Sequence, residues 1–161
     1  MEAGARIGAH TSVRFSWIGK GARLHDGAKV EYSVVGERTW LMHDLVLYRS
    51  VAEAEVFLIH GPYQFSFFQS GSGAFATIMM DYRPDGKAIR AETSSGLLPY
   101  GGRLLGSVLC EGARTLGGSL LAPGRVVPKD VWLSALPDQI HAVTAADLPP
   151  GLPLAPPRTR A

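Results

Sequence analysis

Three histidines recur in the first half of the chain, His25, His43 and His60, at intervals of 18 and 17 residues. Imidazole titrates near neutral pH, and its neutral form ligates metals. Histidines repeated at one interval stack on one flank of any structure that coils with that period, and such a stack could hold zinc. His25 is one place out of phase with the other two. The third histidine opens the sharpest local motif, His60-Gly61-Pro62-Tyr63, which places a phenol three residues beyond an imidazole. Gly71-Ser72-Gly73 lacks the strand-to-helix context of a dinucleotide fingerprint. The single Cys110 excludes an internal disulfide and a cysteine metal cage.

What positions these residues is a repeat. In residues 30–51, aliphatic side chains stand at Val30, Val35, Leu41 and Leu47. Steps of five, six and six match neither a helix nor simple alternation. The series runs back through Leu24, Ile18, Val13 and Ile7, and forward to Ala52 and Leu58, where it breaks. It returns at Leu104, Leu109, Thr115, Leu121, Val127 and Leu133. All sixteen positions except Ala52 and Thr115 carry Ile, Leu or Val, types that make up 36 of 161 residues. Chance would place three or four there. Small residues follow four places later at Thr11, Ala22, Ala28, Thr39, Ala113 and Ser119.

Such a step fits a chain winding a triangular coil, with one short strand per side and one inward branched residue per strand. Three steps make a coil of about 17 residues. The expectation is an all-β, parallel β-helix over residues 1–135, with about six coils. One excursion is expected at roughly 70–103, with Pro84-Asp85-Gly86 turning between two extended arms. Residues 136–161, with six of the eleven prolines, read as an irregular tail.

The net charge of +2, with both signs interspersed, leaves no electrostatic footprint for nucleic acid. No run of 18 apolar residues and no signal-peptide segment point to a membrane, so the expected compartment is the cytoplasm. The open first coil needs cover. Either Glu2, Arg6 and Arg14 blunt it, or the chain is the distal part of a longer protein. The apolar flank residues Trp40, Phe65, Phe67 and Phe68 read as covered by a subunit contact.

The hexads resemble those of the single-stranded left-handed parallel β-helix, and the resemblance implies that handedness. Within that fold, three segments resemble the acetyltransferase domain of sugar-phosphate nucleotidylyltransferases, notably the N-acetylglucosamine-1-phosphate uridylyltransferases. These are His60-Gly61-Pro62-Tyr63, the partial loop Asp81-Tyr82, Asp85-Gly86 and Lys87, and the run through Gly117-Gly118-Ser119 and Leu121-Ala122-Pro123-Gly124. The resemblance covers roughly residues 18–133. It implies acetyl transfer from acetyl-coenzyme A to an amino sugar or sugar phosphate, in a homotrimer with sites between subunits.

By that resemblance His60 is the general base, because an amine attacking a thioester must lose a proton. Tyr63 contacts the acceptor, and Arg49 and Lys87 hold its anionic part. Tyr82 walls the pocket, and Gln69 stands where the family has an asparagine. Gly117, Gly118 and Ser119 seat the pantetheine arm. No metal is implied. No cation stands where the family's phosphate-gripping arginine belongs. Two other readings stay open. One is a non-catalytic trimerisation or regulatory module of a nucleotidylyltransferase. The other is a zinc protein like the γ-class carbonic anhydrases, similar in scaffold but without their close histidine pair.

Overall fold

A computed structural model describes residues 1–134, and all regular structure among them is strand. A strand of two or three residues carries one inward side chain, and a corner then redirects the chain. Along one edge each corner turns on a residue in the left-handed backbone region. These are His10, Gly27, Asp44, His60, Ala76 and Gly118, with φ between 48° and 82°. Histidine and aspartate tolerate that region better than most residues, and glycine enters it freely.

The result is a parallel β-solenoid of triangular section. The first face stacks seven strands: Arg6–Ile7, Arg23–Leu24, Trp40–Leu41, Phe57–Ile59, Gly73–Phe75, Arg114–Thr115 and Trp132–Leu133. The second stacks Ser12–Arg14, Lys29–Glu31, Val46–Tyr48 and Pro62–Gln64, and the pair Ile78–Met79 and Leu120–Leu121 continues it. The third stacks Trp17–Ile18, Val34–Val35, Val51–Ala52, Phe67–Phe68, Val108–Leu109 and Val126–Val127. Inward residues from Ile18 to Leu58 fall on the expected positions and are at most 2% exposed. Ile7 and Val13, in the first coil, are 40% and 39% exposed.

Three expectations are corrected. The repeat does not break after Leu58. It continues inward through Tyr63, Phe68, Ala74 and Met79, all buried. Aromatic and small residues replace the branched ones there, and the coil shortens. Register advances by 17 residues from Arg6 to Arg23 to Trp40 to Phe57, then by 16 to Gly73. Phe68 is therefore core and no part of an outer flank. The excursion spans only about residues 81–106, and Leu104 is exposed rather than inward. Its antiparallel hairpin pairs Arg90–Thr93 with Gly96–Pro99, so the reversal falls at Ser94 and Ser95. Pro84 and Asp85 form a tight turn closed by the Gly86 amide on the Arg83 carbonyl, but no paired arms flank it. Residues 136–161, expected to be an irregular tail, lie outside the described residues.

Serines hold the edge between the second and third faces. The amides of Ser33, Ser50, Ser66 and Ser107 each donate to the serine hydroxyl of the preceding coil, at 3.0–3.2 Å. The hydroxyls of Ser16, Ser33, Ser50 and Ser66 donate to carbonyls two residues back. The column satisfies backbone groups that a tight corner would otherwise bury unpaired. Ser107 is its last rung, so the chain returns from the excursion in register. The excursion docks on the next coil through buried Ile89, through the Glu92 amide on the Gly124 carbonyl (2.8 Å), and through Arg125 on the Arg90 carbonyl (2.9 Å).

Candidate functional site

The motif His60-Gly61-Pro62-Tyr63 is first a corner. Coil four reaches its second face one residue sooner than coil three: Leu58 pairs with Leu41, and Pro62 pairs with Val46. The buried Leu45 therefore has no counterpart, and the Tyr63 ring packs inward, edge-on to Phe68 at 5.6 Å. A Cβ on Gly61 would stand 2.5 Å from that ring. Glycine thus clears the path for the tyrosine. The Tyr63 hydroxyl donates to the Ile59 carbonyl at 2.7 Å, with the Ala74 carbonyl at 3.3 Å. Burial pushes its pKa above the usual phenol range, with a backbone bond at Thr77 opposing weakly.

Tyr63 is 0% exposed, so it does not contact an acceptor as the resemblance implies. It fills the space under the corner and fixes the peptide that carries His60. The physical reason is the shortened coil, which needs a large inward group at that point. His60 itself projects from the edge, exposed, with its ring edge-on to His43 at 5.2 Å between centroids. His25 lies against Trp40 instead, at 6.3 Å. Among the described residues, no three His, Cys, Asp or Glu side chains gather closely enough to share a metal.

Beyond His60 the same edge is almost bare. Register carries the column from His60 to Ala76 and on to Gly117. Two strand spacings separate its ends, roughly 10 Å. Ala76, Gly117 and Gly118 are exposed. Among the described residues, neither Gly117 nor Gly118 donates its amide to a backbone acceptor. Ser119 is turned inward, 6% exposed, with its hydroxyl on the Leu133 carbonyl at 3.2 Å. Its side chain is therefore committed to the fold, which leaves the corner backbone as the exposed part of this segment.

The remaining expected residues stand elsewhere. Gln69 lies on the edge between the third and first faces, where its carbonyl oxygen accepts the Glu111 amide at 3.0 Å. It locks one coil to the next. Arg49 lies on the serine edge, with its guanidinium over Tyr32 and Tyr48 at 5.6 and 5.5 Å. Phe65 takes the corresponding corner of the next coil, between Arg49 and the excursion. Tyr82 and Lys87 meet in a groove of about 790 Å³ within the excursion, which Tyr100 and Arg103 also line. Sequence reasoning passed over Tyr100 and Arg103; the signal was a Gly-Gly pair between them, inside a segment already set apart from the repeat. One chain thus separates the histidine edge from Lys87 and Tyr82 by the width of the second face.

No family model matches the chain, and no curated protein matches it. Two solved structures align with much of it. The acetyltransferase domain of PglB from Neisseria gonorrhoeae FA1090 is 14% identical, over 79% of this chain and 52% of that one, with a TM-score of 0.30. WeeI from Acinetobacter baumannii AYE is 12% identical, over 86% of this chain and 54% of that one, with a TM-score of 0.25. This chain spans about half the length of the solved structures it matches.

Proposed function

We propose that this protein transfers an acetyl group from acetyl-coenzyme A to an amine on a sugar or sugar phosphate, with His60 as the general base. The observation that supports this best is the edge itself. An exposed imidazole stands at one end of a strip free of large side chains, and two glycine amides without a backbone acceptor among the described residues stand at the other. An extended pantetheine arm can lie along such a strip and bring its thioester to the histidine.

The amine nitrogen attacks the thioester carbonyl, forming the C–N bond, and His60 takes the proton that the nitrogen sheds. The C–S bond then breaks, and the leaving sulfur receives a proton as coenzyme A departs. The Gly117 and Gly118 N–H groups are available to the pantetheine amides or to the developing oxyanion. Holding amine and thioester together supplies most of the rate, and the base adds ~10²–10⁴-fold.

A homotrimer would bury an outward apolar face. Trp17, Val34, Val51, Phe67, Val108 and Val126 form one outward apolar column on the third face. Trp17, Val34 and Val51 are 41%, 39% and 38% exposed. The second reading, a non-catalytic assembly module, draws on Tyr63 and Gln69, two expected substrate residues that the fold itself uses.

Thiol release from acetyl-coenzyme A, measured against a panel of amino sugars and their phosphates, tests the proposal. His60→Asn keeps a residue suited to the left-handed region. It should lower turnover ~10²–10⁴-fold without moving the melting temperature, while His43→Ala should be much milder. Equal losses for both variants, or full turnover without His60, would remove His60 as the base, and no thiol release with any acceptor would leave the non-catalytic reading standing.

A further inference from the structure

The groove in the excursion carries a charge that the fold does not use. Four side chains with polar ends line it, Tyr82, Lys87, Tyr100 and Arg103, together with Arg83. Arg83 is neutralised locally. Its Nε and Nη2 reach the two carboxylate oxygens of Asp85, at 2.9 and 2.5 Å. That bond holds the Asp85 carboxyl well below the usual carboxylate range. Among the described residues, Lys87 and Arg103 form no ion pair. Lys87 and Arg103, neither in an ion pair among the described residues, therefore line a concave space of about 790 Å³, with a tyrosine on each arm of the excursion. A cavity of this size suits a small organic ligand.

The groove is also held in place. Ile89 is buried beneath it, the Tyr100 amide donates to the Ile89 carbonyl at 2.8 Å, and the Leu105 amide closes the neck on the Asp81 carbonyl at 2.8 Å. A Cβ on Gly102 would meet the Tyr100 ring at 2.5 Å. That close packing sets the wall on which Arg103 stands. Two cations that line one groove, one on each arm, favour a ligand with two or more anionic oxygens. A planar guanidinium fits phosphate oxygens in pairs, and an ammonium adds a point charge.

We propose that this groove is a subsite for a phosphate-bearing ligand, in which Arg103 and Lys87 bind the phosphate oxygens and Tyr82 and Tyr100 flank the group attached to them. Arg103, rather than Arg49, is then the partner of Lys87, because Arg49 is engaged on the tyrosine column two coils away. As a statement about an acyltransferase this rests on the function proposed above. As phosphate binding it is measured without turnover, so either can fail alone. The phosphate belongs to a sugar phosphate or to the diphosphate of the coenzyme, and the two are separable.

Titration calorimetry on the full chain would compare glucosamine 1-phosphate with glucosamine, and coenzyme A with pantetheine. At least one phosphorylated probe should bind more tightly than its unphosphorylated counterpart, and the pair that differs identifies the source. Arg103→Gln should weaken that probe by about 10-fold or more, from the loss of a charge-assisted bond. It should leave the unphosphorylated probe and the melting curve unchanged, and Arg103→Lys should restore part of the loss. Lys87→Gln gives an independent variant with the same expected sign. The proposal is overturned if neither phosphorylated probe binds better than its counterpart. It is equally overturned if Arg103→Gln and Lys87→Gln both bind as the parent does, or if phosphorylated and unphosphorylated probes weaken alike.

Discussion

Tyr63→Phe removes one oxygen and separates the two roles open to this tyrosine. In the structure the hydroxyl is buried and donates to the Ile59 carbonyl at 2.7 Å. That carbonyl also accepts the Ala76 amide at 3.0 Å, so it keeps a partner when the hydroxyl is lost. The cost is then that of one buried hydrogen bond without an orphaned acceptor, roughly 0.5–1.5 kcal/mol. For a chain of this size the melting temperature should fall by roughly 1–6 °C. The acceptor KM should not change, because the ring fills the same space. The pH dependence gives a second reading. Burial raises the Tyr63 pKa, so above about pH 10 the unfolded phenol loses its proton while the native one keeps it. The unfolded state then binds fewer protons, and stability falls by up to about 1.4 kcal/mol per pH unit. Every other group is common to the two proteins and cancels in the comparison. The phenylalanine variant lacks this slope, so the parent's advantage at neutral pH should shrink and reverse as pH rises beyond 10. Denaturant melts at pH 7, 9 and 11, with acceptor kinetics at pH 7, measure all of this. A variant that melts like the parent at every pH while its acceptor KM rises would put the hydroxyl on the substrate and refute the core assignment.

The remaining predictions concern packing. Gly61→Ala drives a Cβ into the Tyr63 ring and should destabilise by about 1–3 kcal/mol; combined with Tyr63→Val, the same substitution should cost less, and equal costs in both backgrounds would show that the ring is not what excludes the methyl group. Val51→Lys places a charge in the middle of the apolar third face. Light scattering at micromolar concentration should give a trimer for the parent and a monomer of unchanged β circular dichroism for the variant. A monomeric parent, or a trimeric variant, would remove the third face as the subunit contact.

The parallel coil was written in the sequence wherever inward residues are branched. From Ile18 to Leu58 each side of the triangle needs one apolar residue, and backbone pairing with the next coil does not depend on side-chain identity. A step of five or six therefore survives as the only constraint, and it reads directly. The signal vanished at Tyr63, Phe68 and Ala74, because a shortened corner changes both the spacing and the volume to be filled. The excursion consequently reads from sequence as starting about ten residues too early.

The sequence by itself also determined which residue types are available: an imidazole at His60, cations at Arg49, Lys87 and Arg103, and bare glycines at Gly117 and Gly118. It could not determine which of them share an edge. That depends on counting residues through every corner, since a change of one residue in a coil carries all later side chains to a different place on the triangle. Only the tertiary structure decided that Tyr63 and Gln69 serve the fold, that His60 and Gly117 lie on one edge, and that Lys87 faces Arg103's groove rather than Arg49. Strand pairing between coils fixes those positions, and each pairing joins residues 16 or more apart, beyond the reach of any local pattern.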